Sequence, residues 1–289
     1  MSNIFAKTAR SWRLIKASTA VLNSDGELLA LPLLSGLFTL ALGGALLALA
    51  MSNGTFEAFR NGETGAALDG FYLWLFAFYL VQYFVIIFFN TALVSAALQR
   101  LDGGDPTIVS ALGLAFRRIV PIFGYAILSA TVGMLLRVIA ERLGVVGRIV
   151  SFGADLAWTV TTFLVVPIIV AEGLGPISAV ERSAELLGKS WGENLIGNAG
   201  ISLIFAFVGG FVAFGMAGAM ILIEHGDETI GLPLFAATFV LLTGVIVFAS
   251  ALSAVYAAAV YYYAVVGQPP DGFDRDLVRG AFASRPAAA

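Results

Sequence analysis

The chain has 289 residues; 59% are hydrophobic, 12% are charged, and the net charge is −3. Soluble domains carry about 25% charged residues and still leave about a quarter of their surface in water at this size, so the composition argues against a water-soluble fold and for a bilayer as the solvent. The absence of cysteine excludes disulfides and thiolate chemistry, and so small a net charge does not point to nucleic acid as a partner.

Residues 1–27 form a basic amphipathic stretch that contains Lys7, Arg10, Arg13 and Lys16. The apolar run after it is too long for the core of a cleaved signal and lacks a clean cleavage site, so the N-terminus is expected to be retained. Uncharged runs of about 18 residues or more read as membrane spans. The first is Leu28–Met51, 24 residues without a charge. The second, Phe71–Leu98, opens on Phe71, Tyr72, Trp74, Phe76, Phe78 and Tyr79. In the linker that follows, LDGGDPTIVSALGLAFRRIVPIF, the residues Ile108, Ala111, Leu112, Ala115 and Phe116 recur at the spacing of one helical face. The third span is expected at Ile119–Ala140 and the fourth at Val145–Val170, with a tight turn at Leu143–Gly144 between them.

The next linker reads AEGLGPISAVERSAELLGKSWGENL. The fifth span, Leu195–Ile223, places Gly209, Ala213 and Ala217 at the four-residue spacing that lets helix backbones approach. The loop Glu224–Glu228 has three acids and the single histidine, His225. The last uncharged run, Gly231–Val266, has 36 residues. As one helix it would reach about 54 Å, well beyond the ~30 Å hydrocarbon core. Either it tilts and projects from the bilayer, or Gly231 and Pro233 belong to a loop.

Basic residues set the expected orientation. The N-terminal stretch, the two long linkers and the tail hold Lys7, Arg10, Arg13, Lys16, Arg100, Arg117, Arg118, Arg182, Lys189, Arg275, Arg279 and Arg285, twelve of the sixteen Lys and Arg residues. Positive residues stay cytoplasmic, so both termini are expected inside. The two linkers share a plan: an acid (Asp102, Glu172), then glycine, then a proline (Pro106, Pro176) suited to the first turn of a helix. A related helix at each end of the chain completes the pattern. The expected architecture is an all-α, polytopic bundle of six transmembrane helices with cytoplasmic amphipathic helices. It forms one integral membrane domain over 1–289, with a threefold internal repeat in units near 1–101, 102–171 and 172–266 and a cytoplasmic tail at 267–289. Lys7, Arg10, Arg13, Lys16, Arg117, Arg118, Arg182 and Lys189 would meet anionic lipid at about 1 kcal/mol each, or else pack under the bundle as protein contacts.

Charge inside the spans is the main candidate site. A charge near mid-bilayer costs about 2.5–3.5 kcal/mol on insertion scales, so it pairs or faces water. Antiparallel pairing of spans three and four puts Arg137 opposite Ser151, within a turn of Asp155, and Arg148 and Asp155 share a face at a spacing of seven. An Arg137–Arg148–Asp155 cluster would be either a polar pathway for an anionic group or a salt-bridged clamp on one hairpin, with the arginines reaching the surface. Gln82, Asn90 and Asn198 read as hydrogen bonds between helices. No catalytic signature is present: His225 alone builds no zinc site, and the DGGDP acids read as a turn and helix cap. The expectation is therefore a non-enzyme without metal or cofactor.

The stretch VPIIVAEGLGPISAVERSAELLGKSW carries Pro167, Glu172, Gly175, Pro176, Ala179, Arg182, Ser183, Leu187, Lys189 and Trp191. It resembles a pattern in uncharacterised bacterial six-span membrane proteins, which are similar to the membrane domain attached to some glycerophosphodiester phosphodiesterases. The resemblance implies a bacterial inner-membrane protein and no activity. The functional expectation is a transporter or channel for a small solute or ion, as a homo-oligomer; the alternative is a non-catalytic scaffold that binds lipid or a protein partner through its amphipathic helices.

Overall fold

The computed structural model describes residues 26–54, 61, 66–188 and 194–267. The stretch with Lys7, Arg10, Arg13 and Lys16, the residues Lys189 and Trp191, and the tail after 267 lie outside them.

Among the described residues the fold is all helical. A 3-10 turn, Gly26–Leu29, leads into α1 (Ala30–Ser52), α2 (Ala66–Leu101), α3 (Ile108–Arg117), α4 (Ile119–Arg142), α5 (Gly144–Thr161), α6 (Val165–Glu172), α7 (Pro176–Gly188), α8 (Asn194–Glu224) and α9 (Glu228–Val266). Six stretches among the described residues are long and apolar enough to cross a membrane: Ala30–Ser52, Gly70–Leu101, Ile119–Arg142, Val146–Glu172, Phe207–Glu224 and Glu228–Val266. Their outer faces agree. Phe207, Phe211 and Phe214 are 80%, 77% and 80% exposed, a row that a soluble surface rarely carries. Acyl chains suit it, and a helix satisfies its own backbone groups there. The chain has the build of a multi-pass membrane protein.

The chain divides into two compact units. One, Leu33–Ala96 with Pro106–Gly188, holds α1, most of α2, and α3 to α7. The other, Met1–Pro32, Ala97–Asp105 and Lys189–Ala289, holds the α8–α9 hairpin and the turn that ends α2.

In the four-span unit, α2 reaches α1 through two side-chain donors. Trp74 Nε1 donates to the Leu46 carbonyl and Gln82 Nε2 to the Thr39 carbonyl, both at 3.2 Å. Gln82 is thus a bond between helices; Asn198 is not among the described side chains. Helices α4 and α5 form a hairpin about Leu143. Its register is fixed by Ser151 Oγ, which donates to the Leu136 carbonyl at 2.9 Å, and by Gly147. A Cβ on Gly147 would run into the Ile139 carbonyl, with Leu143 Cβ at 2.7 Å and Ala140 Cα at 3.2 Å, so only glycine permits this crossing.

The fourth span is interrupted. Pro167 has no N–H, and its ring excludes the Phe163 carbonyl from the helical ladder. The chain loosens into turns at Thr162–Leu164, where Phe163 N–H bonds the Val160 carbonyl and Val165 N–H the Thr162 carbonyl. The freed Leu164 N–H is met by Ser183 Oγ of α7 at 3.2 Å, with both residues fully buried.

The motif after the break folds α7 back on α6. Gly173 ends α6 at φ 67°, in the left-handed region. Arg118 lies against it and donates from Nη2 to the Val170 carbonyl at 3.4 Å, where a cation also complements the helix dipole. Pro176 is the first residue of α7, and Ala179 and Leu187 are buried. Arg182 joins Glu172 at 3.5 Å and Glu185 at 2.8 Å; these bonds, to Glu185 above all, hold its proton more firmly than usual. Pro106 differs from Pro176. It precedes Thr107, the N-cap of α3, whose hydroxyl accepts from Ser110 N–H at 3.1 Å while Ser110 Oγ accepts from Thr107 N–H at 3.0 Å. This capping box, rather than the proline, starts the helix.

In the other unit α8 and α9 pack antiparallel, with the Phe205 and Phe248 rings edge to face at 6.0 Å. Gly209 faces α9, yet a Cβ there would sit 3.7 Å from Leu242 Cδ1, an ordinary contact, and Ala217 is exposed. The small-residue spacing therefore does not mark a close backbone approach. Helix α9 is continuous for 39 residues and includes Gly231 and Pro233, so at about 58 Å it overshoots the hydrocarbon core. The acids of DGGDP form the turn after α2, where Arg100 pairs with Asp105 at 3.3 Å.

Candidate functional site

Three helices of the four-span unit bring their polar groups to one seam. Helix α4 carries Tyr125, Ser129, Gly133, Arg137 and Glu141 at intervals of four, which places them along one face. Helix α5 carries Arg148 and Asp155 seven residues apart, on one face, and Thr162 caps its end another seven residues on. Helix α2 adds Tyr79 and Tyr83, one turn apart, with rings stacked at 6.2 Å. Because α4 and α5 are antiparallel and in the register set by Ser151, these groups meet in levels.

At the end formed by the α4–α5 turn, Arg137 Nε donates to Glu141 Oε1 at 2.8 Å and Arg137 Nη1 donates to the Tyr79 hydroxyl at 3.4 Å. A cleft of about 490 Å³ opens there, lined by Tyr79, Arg137, Ala140, Glu141, Gly144 and Arg148. One level along, the Tyr83 hydroxyl lies against Gly133, where a Cβ would come within 3.2 Å of it, and Asp155 acts on the same phenol electrostatically. At the third level Tyr125, Ser129 and Thr162 come together, with Thr162 Oγ1 donating to the Trp158 carbonyl at 2.8 Å. Tyr125 and Ser129 are only 7% and 5% exposed, so this end of the seam is closed. It closes beside the Thr162–Leu164 break.

The expected cluster of Arg137, Arg148 and Asp155 is thus opened out along the seam. The two arginines line one cleft, and the carboxylate that pairs with Arg137 is Glu141. Asp155 makes no ion pair with either arginine among the described residues. It lies seven residues beyond Arg148, about 10 Å along the helix. Glu141, Tyr83, Tyr125, Ser129 and Thr162 are not marked as site residues by the sequence, and Tyr79 reads there only as part of an aromatic span. The signal was the four-residue stripe on α4 that runs through Arg137, which a scan for charges alone does not register.

The basic interfacial residues divide. Arg118 and Arg182 are held by protein groups, whereas Arg117 is exposed at the end of α3. Among the described residues no three His, Asp or Glu side chains gather to hold a metal ion. His225 is exposed in the α8–α9 turn, with Nδ1 2.8 Å from the Ile221 carbonyl.

The chain belongs to DUF6159, a family of unknown function, whose model matches residues 70–272. The matched part runs from α2 to the end of α9 and includes the whole seam. No curated protein matches the chain.

Proposed function

We propose that this is a non-enzymatic, multi-pass protein of a bacterial inner membrane that moves a small solute or ion along the α2–α4–α5 seam, as a transporter or channel. The seam is the observation that carries the proposal. From Tyr125 to Glu141 it follows α4 for about 24 Å of the ~30 Å hydrocarbon core. Ionisable groups at that depth are costly and mark pathways and relays. The break in the fourth span supports it, since broken helices beside a polar path give transporters a place to bend. The likeness of the α6–α7 motif to the membrane domain of glycerophosphodiester phosphodiesterases favours the bacterial inner membrane. The positive-inside rule puts both termini, α3 and α7 in the cytoplasm, and the α4–α5 and α8–α9 turns outside.

A second reading, a scaffold that binds lipid or a protein partner through its amphipathic helices, draws on α3. Val109 and Phe116 there are 80% and 59% exposed beside Arg117, as in a helix that lies in the interface. Arg118 and Arg182 weigh against it, being already engaged with protein.

Flux separates the two. In liposomes or planar bilayers bathed in potassium phosphate, the protein is expected to carry solute above the empty-membrane level. Asp155→Asn should change that flux severalfold and leave the unfolding temperature in place. A variant with lowered thermal stability and unchanged flux would make Asp155 structural and favour the scaffold.

A further inference from the structure

We propose that the cleft between Tyr79, Arg137, Glu141 and Arg148 binds a phosphate-bearing anion. The inference deepens the seam reading, because the cleft is the seam's open end, but it concerns binding and not passage.

Charge comes first. The charged side chains that line the cleft are two arginines and one glutamate, so it is net positive. Glu141 occupies only one edge of Arg137: its Oε1 accepts from Nε, and Tyr79 accepts from Nη1. Nη2 of Arg137 is left over. Arg148 has no hydrogen bond or ion pair to any described residue, and it lines the same cleft. Arg148 is exposed at the open cleft, and its guanidinium has donors to offer there. Its neighbours offer no carboxylate that reaches it: Glu141 is engaged by Arg137, and Asp155 is a level deeper with Tyr83. An anion from outside the chain supplies the missing partner.

Geometry then selects the anion. Guanidinium groups present planar forks of N–H donors that match two oxygens of a tetrahedral oxyanion. Two forks from adjacent helices lining one cleft suit a phosphate better than a halide, which accepts no paired bonds. Gly144 brings the start of α5 to the cleft, and that end has no side-chain cap, so the helix dipole adds to the attraction. Volume admits more than one source. About 490 Å³ exceeds an inorganic phosphate and accommodates a lipid headgroup, while Leu143, Val146 and Ile149 beside the cleft are 58%, 65% and 68% exposed and could carry the acyl chains.

Binding is measured without a membrane gradient, on the whole protein in a neutral detergent. Equilibrium dialysis with radiolabelled inorganic phosphate tests the free anion. Native mass spectrometry after addition of phosphatidylglycerol or phosphatidylcholine tests the headgroup. Arg148→Gln is the main variant, since its exposed side chain has no protein partner to lose. Arg137→Gln, which also breaks the Glu141 pair, is the second. If the site exists, at least one probe binds saturably, and Arg148→Gln weakens that probe about tenfold or more, the loss of one charged hydrogen-bond partner. Saturable phosphate binding assigns the site to a free anion. Preferential retention of phosphatidylglycerol without phosphate binding assigns it to a lipid. Equal behaviour of wild type and Arg148→Gln toward both probes overturns the inference. A protein that binds but carries no flux would instead refute transport and leave this site standing.

Discussion

Gly147→Leu is expected to disrupt the α4–α5 hairpin more severely than any other single change in the four-span unit. The obstacle is backbone and Cβ: the Ile139 carbonyl, Leu143 Cβ at 2.7 Å and Ala140 Cα at 3.2 Å. None of these turns aside as the end of a flexible side chain would. Overpacking costs about 1–3 kcal/mol where a core can adjust and more where it cannot, so the upper end of that range or beyond applies here. The hairpin also sets which groups of α4 and α5 meet. Pushing it apart therefore separates Arg137 from Arg148 as well as destabilising the unit. Thermal unfolding in detergent checks the first effect, and loss of phosphate or phosphatidylglycerol binding checks the second. A Gly147→Leu protein with unchanged melting and unchanged binding would mean that the two helices are not in this register.

The second large effect is at Ser183. Its hydroxyl meets the Leu164 N–H at 3.2 Å where both residues are fully buried. Ser183→Ala removes one partner and leaves a buried backbone donor without an acceptor, at about 1–3 kcal/mol. The cost is local in its first appearance. The break at Thr162–Leu164 should open more often, so amide exchange across Trp158–Val170 should rise before global unfolding does. Exchange that rises equally in every helix would contradict the assignment of Ser183 to this break.

Much of the fold was legible because lipid imposes a coarse rule. A run such as Leu28–Met51 has no option but a helix that crosses or lies in the bilayer, and the structure starts and ends that helix within two residues of the run. What was not legible depends on single backbone groups. Pro167 reads in the sequence as part of a motif; its consequence, a break closed by Ser183, appears only when α7 folds back. Pro106 looks equivalent to Pro176, but Thr107 and Ser110 form a capping box and displace it from the helix. For Gly231 and Pro233 the sequence leaves open a loop or one long helix, and the helix begins at Glu228 and runs through them.

The seam shows the same limit. Spacing alone put Arg148 and Asp155 on one face and opposed Arg137 to Ser151. Which carboxylate reaches Arg137 is a matter of a few ångströms, and Glu141, one turn along the same helix, is nearer than a residue across the hairpin. A tyrosine in an aromatic span, such as Tyr83, reads as packing until its hydroxyl is seen against Gly133 of the neighbouring helix.

The orientation proposed from the basic residues puts the cleft at the outer membrane face and the α3 linker in the cytoplasm. The chain contains no cysteine, so single cysteines can be placed in it without a background. Asp102→Cys in the turn after α2, Leu143→Cys in the α4–α5 turn and Asp227→Cys in the α8–α9 turn, expressed in bacterial cells, are treated with a membrane-impermeant maleimide. Leu143→Cys and Asp227→Cys should react in intact cells, and Asp102→Cys only after the membrane is opened. Reaction of all three in intact cells would contradict the crossing of the bilayer on which the account stands, and reaction of Asp102→Cys alone would reverse its orientation.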